Sequence, residues 1–66
     1  MADHDHYLAG PCEGMSLHRI GREVQFKDTS GREPESKRVF EDEERASAFI
    51  WRHRQELYAK YDQVAA

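Results

Sequence analysis

From Glu43 to Val64 the chain contains neither proline nor glycine, and its apolar residues recur at helical spacing. Ala46, Phe49, Ile50, His53, Leu57, Tyr61 and Val64 are separated by three, one, three, four, four and three positions. That series lines one face of a helix, and good helix formers fill much of the remainder. A helix over about 43–64 takes a third of a 66-residue chain. Whatever precedes it has to cover its stripe.

The preceding segment changes period. In "MSLHRIGREVQFKD" the residues Ile20-Gly21-Arg22-Glu23 suit a two-residue type II′ hairpin with glycine at the first central position. Pairing Ile20 with Glu23 sets Arg19 opposite Val24, Leu17 opposite Phe26 and Met15 opposite Asp28. Strand residues two apart share a face, so this register gathers Met15, Leu17, Val24 and Phe26 on one side. A single long strand with a bulge at Gly21 is the competing arrangement. Asp28, Ser30 and Gly31 then supply turn chemistry. "EPESKRVF" follows as a third strand ending at Val39-Phe40, with Pro34 marking an edge and a connection that can be looser than a tight hairpin. Residues 1–14, punctuated by Gly10-Pro11 and Gly14, carry no period and are expected to be a flexible or irregular lead-in. The expected fold is α+β: a short antiparallel meander of two or three strands, residues 15–66 forming one small domain with a long C-terminal helix.

Size limits the chemistry. A domain this small buries about 60% of the surface its unfolded chain exposes, which leaves little room for an enclosed pocket of the usual 300–1,000 Å³. No paired nucleophile and base and no cofactor motif is evident, so a binding module is expected rather than an enzyme. Charged residues make up 35% of the chain and the net charge is −3, opposite to the basic balance of a free-standing nucleic-acid binder. One cysteine, Cys12, excludes an internal disulfide framework and fits a reducing cytoplasm. No secretory signal and no membrane span is read from the sequence.

Four groups of polar residues are candidates for function. Glu41, Asp42, Glu43 and Glu44 form an acidic run at the helix start. Asp42 suits an N-cap, and Glu43 and Glu44 suit the positive end of the helix dipole; the same run, joined by Glu33 and Glu35, can also be an interaction patch. Trp51 and Tyr58 lie seven apart on one helix line, with Ser47 and Arg54, roughly 100° from the centre of the core stripe. They are either covered by the sheet and the N-terminal segment or exposed as a contact strip for a partner or a homodimer. His4, His6, Cys12 and His18 include zinc-ligand types, but their spacing matches no standard site, and no metal or other cofactor is expected. Six of the ten basic residues, Arg19, Arg22, Lys27, Arg32, Lys37 and Arg38, fall in the strand region. They are a solvated face or a nucleic-acid surface.

"VQFKDTSGREPESKRVFEDEERASAFIWRHRQEL" resembles the strand–turn–strand–helix pattern of the arm-type DNA-binding domains of tyrosine recombinases. It shares Gly-Arg in the turn, a Lys/Arg-bearing strand ending in Phe40, and a helix with Ala46 and Phe49. The resemblance covers about half the chain and implies a sheet that enters the major groove. Glu33 and Glu35 on the reading strand oppose phosphate contacts. In size and composition the chain also resembles small phage and mobile-element inhibitors, including anti-CRISPR proteins. That likeness implies a non-enzymatic protein in a bacterial cytoplasm. It would occupy the nucleic-acid path of a larger protein or ribonucleoprotein complex through Glu33, Glu35, Glu41, Asp42, Glu43 and Glu44, with Trp51 or Tyr58 as anchor. DNA binding through the basic strands is the alternative.

Overall fold

A computed structural model describes residues 3–62 of the chain. The strands are β1 (His4–Tyr7), β2 (Met15–Ile20), β3 (Glu23–Asp28) and β4 (Ser36–Val39). They form one antiparallel sheet in the order β1-β2-β3-β4. Helix α1 spans Glu43–Asp62, about 30 Å at 1.5 Å per residue. The fold is α+β, a meander packed on one long helix. Val64, the last position of the expected stripe, lies outside the described residues.

The central hairpin has the expected register, from Ile20↔Glu23 to Met15↔Asp28. Gly21 has φ +60°, while among the described residues no non-glycine residue has positive φ. Positive φ at the first central position alone is the type II′ pattern. Met15, Leu17, Val24 and Phe26 accordingly share the buried face, where Ala46, Ile50 and Leu57 of α1 meet them. Phe49 and Tyr61 pack on the edge of this core. β4 is an edge strand, as Pro34 implied, and each of its residues is exposed.

The sheet has one more strand than expected, and it comes from the segment expected to be irregular. Residues His4–Tyr7 pair with β2, and Gly10–Cys12 form a turn of 3-10 helix. "HDHY" has no apolar alternation to announce a strand, so its pairing rests on contacts supplied by β2. Asp3 donates its amide to the Arg19 carbonyl at 2.7 Å and accepts from the Gly21 amide at 2.6 Å. Leu8 and Cys12 enter the core beneath the helix, closing the end that the hairpin leaves open. The loop between β3 and β4 is ordered by Asp28, which accepts from the Ser30 amide and hydroxyl and from the Glu33 amide. The Ser30 hydroxyl bond is the largest reason its carboxyl is held below the ordinary carboxylate value.

Candidate functional site

The acidic run begins α1. Asp42 accepts the Arg45 amide at 2.7 Å, and its carbonyl accepts the Ala46 amide; it is an N-cap. Neighbouring cations engage much of the remaining charge. Arg45 reaches Glu41 at 2.8 Å and Asp42 at 3.7 Å, and Arg19 reaches Glu43 at 3.1 Å. Glu44 has no ion-pair partner among the described residues and is exposed.

The six carboxylates proposed from sequence are not one patch. Glu33 receives Lys60 at 3.0 Å, near the other end of the helix. Lys60 lies seventeen residues beyond Glu43, roughly 25 Å along the axis. Glu33 and exposed Glu35 therefore belong to the β3–β4 loop end, apart from Glu41–Glu44.

Trp51 and Tyr58 have different surroundings. Tyr58 is half-buried, and its hydroxyl accepts the Ala9 amide at 3.1 Å. Trp51 remains 54% exposed, with His6 edge-on at 5.4 Å and Arg54 over its ring at 4.8 Å. The N-terminal segment thus covers one ring and leaves the other open. Trp51 is seven residues from Glu44, so the unpaired carboxylate and the open indole lie on one helix line two turns apart.

The basic candidates do not converge. Arg19, opposite Val24, points into the core side and is 8% exposed, bonded to the Gly21 carbonyl and Glu43. Arg32 donates to the Pro11 and Glu13 carbonyls and to Ser30, and lies over Tyr61. Arg38 covers Phe40 and Phe49, and Arg22 donates to the Glu41 carbonyl. Lys27 and Lys37 remain on the outer face, Lys37 near Glu23 at 3.8 Å. Arg19 is buried and engaged within the fold, and Arg32, though exposed, is held by the Pro11 and Glu13 carbonyls.

The possible metal ligands are also dispersed. His4 and His6 face the helix from β1, His18 lies on the opposite face of the sheet, and Cys12 is fully buried. Burial raises the Cys12 thiol above its ordinary value. Among the described residues no group of three or more histidine, cysteine or carboxylate side chains is placed to hold a metal.

Sequence reasoning missed the partners of His18. Its Nδ1 lies 2.6 Å from Asp5 and its Nε2 2.8 Å from the Ser16 hydroxyl. This is the connectivity of a Ser-His-Asp relay, but Ser16 is only 8% exposed. Ser16 also lies on central β2, which pairs with a strand on either side. The chain of bonds instead ties β1 to β2. Its signal in the sequence was Asp5 at the position that pairs with His18, visible only once β1 is known to be a strand.

Among the described residues no helix is long and apolar enough to cross a membrane. Comparison with protein-family models, curated proteins and solved structures finds no match.

Proposed function

We propose that this chain is a non-enzymatic binding module that docks on a basic surface of a larger protein or ribonucleoprotein complex. It uses the start of α1 and the line that runs from it to Trp51. The observation that carries the reading is the open Trp51 ring two turns from the unpaired Glu44. Tryptophan is prominent among interface residues that dominate affinity. A carboxylate beside it would steer encounter with lysine and arginine and set orientation.

Glu41 and Asp42 extend the negative end, although Arg45 lowers their net field. Glu43 contributes least, because Arg19 already holds it. Glu33 and Glu35 fall outside the contact. If the target surface normally holds nucleic acid, the module is an inhibitor by occupancy, the mode of the small phage inhibitors that the chain resembles in size and charge.

Affinity capture with four baits tests this: wild type, Trp51→Ala, Glu44→Lys and Glu35→Lys. A protein retained by wild type and Glu35→Lys, lost from the other two and displaced by added nucleic acid supports the reading. Equal retention on all four baits contradicts it.

A further inference from the structure

Between β1 and α1 lies a cleft of about 140 Å³ lined by His4, His6, Arg19, Ser47, Ile50 and Trp51. Its polar lining is rich in hydrogen-bond donors: two imidazoles, a guanidinium and a hydroxyl. Among the described residues Arg19 makes its side-chain hydrogen bonds and ion pairs through Nη1, to the Gly21 carbonyl at 2.7 Å, Glu43 at 3.1 Å and Asp3 at 3.8 Å. Its Nε is buried and has no hydrogen-bond partner. The Nε–Nη2 edge can grip oxyanions in pairs, and no carboxylate of the described residues occupies it. Arg54, stacked on the Trp51 ring at the rim, also carries a buried Nε with no partner, and makes no ion pair among the described residues. A buried donor without an acceptor is costly; Arg19 lines the cleft, and Arg54 stands beside it over the Trp51 ring.

The local field agrees. Burial is the largest reason that His6 sits below its ordinary value, and Arg54 is the next. His4 and His18 push in the same direction, while Asp5 opposes them. Glu43 and Asp3 face Arg19 from the helix start and the beginning of β1, and both act on Nη1.

We propose that this cleft binds a small tetrahedral oxyanion of the phosphate class. The Nε–Nη2 edge of Arg19 would hold it, with His4 and His6 from the strand and Ser47 and Arg54 from the helix. Donors reach the cleft from two elements, and a tetrahedral anion offers oxygens to both, more of them and in more directions than a planar carboxylate. Binding favours protonated His6, so affinity rises as pH falls through the His6 value of the complex. This site does not depend on the protein-binding reading.

The test titrates the ring protons of His4 and His6 by NMR, with inorganic phosphate and with sodium chloride at equal ionic strength, while Trp51 fluorescence is followed. The expected result is a saturable Trp51 response and an upward shift of the His6 midpoint, both with phosphate only. Arg19 is built into the fold, so the variant is Arg54→Gln. It should retain the wild-type melting profile and lose about tenfold in phosphate affinity, the scale of one charged hydrogen bond. Methyl phosphate in parallel separates the sources: tighter binding assigns the site to phosphate monoesters, weaker binding to the free anion. Identical responses to chloride and phosphate, or no saturable change at tens of millimolar phosphate, would overturn the site.

Discussion

The two flanks of α1 use the same residue types to different ends. On the β4 side, Phe40 and Phe49 lie 5.0 Å apart, His53 stacks on Phe49 at 5.2 Å, and Phe26 meets His53 edge-on. Arg38 closes this cluster from outside, over both phenylalanine rings. On the β1 side, Arg54 again covers two rings, Trp51 and Tyr58, but the strand beneath is His-Asp-His-Tyr and brings no apolar side chain to meet them. One flank is therefore built on ring-on-ring packing. The other keeps an open indole, a donor-lined cleft and two unpartnered guanidinium nitrogens. On the proposed reading, the first flank serves stability and the second would serve recognition.

That division can be broken by substitution. Phe49→Ala should cost about 2–3 kcal/mol, toward the low end for aromatic truncation because the ring is only partly buried. In a domain this small such a loss is a large share of total stability, and urea unfolding would show it as a lower midpoint. Trp51→Ala on the opposite flank should stay within about 1 kcal/mol of wild type while abolishing capture of the partner. Equal destabilisation by the two changes would erase the distinction.

A smaller effect falls on the strand that makes the open flank. Tyr58→Phe removes the acceptor of the Ala9 amide and should cost about 0.5–1.5 kcal/mol. Amide exchange should quicken around Ala9 and along β1 before it does so in β2 and β3.

Asp28 lies away from both flanks and sharpens the comparison by pH. Its carboxyl is depressed in the folded chain, so its contribution is present above the ordinary carboxylate value and disappears as pH falls through the lowered native value. Asp28→Asn should therefore lower the melting temperature at pH 7, and the difference from wild type should close in strong acid. A difference that is independent of pH would mean that the loop depends on the shape of the side chain rather than its charge.

What was legible from sequence is the centre of the fold. The helix and the β2–β3 register rest on closely spaced apolar residues, and a one-residue slip would have moved every one of them to the wrong face. Arg19 was read as part of a solvated or nucleic-acid face, although the register that set it opposite Val24 implied the core side where it lies. The strand β1 was not legible: four polar residues take strand geometry only because β2 offers His18, Arg19 and Gly21 as partners. Without β1, the cleft, the relay through His18 and the different environments of Trp51 and Tyr58 had no signal. The acidic residues divided in the same way. Asp42 was recognisable as a cap from local pattern, whereas the separation of Glu33 and Glu35 from the helix start depends on how the β3–β4 loop reaches Lys60.

The most direct test of the proposed contact is a titration of isotope-labelled protein with a short arginine- and lysine-rich peptide at low salt, followed by amide and indole chemical shifts. The account predicts perturbations concentrated at Glu41, Asp42, Glu44, Ser47 and the Trp51 indole, and their loss in Glu44→Lys. Perturbations centred on Glu33 and Glu35, with Trp51 unmoved, would contradict it.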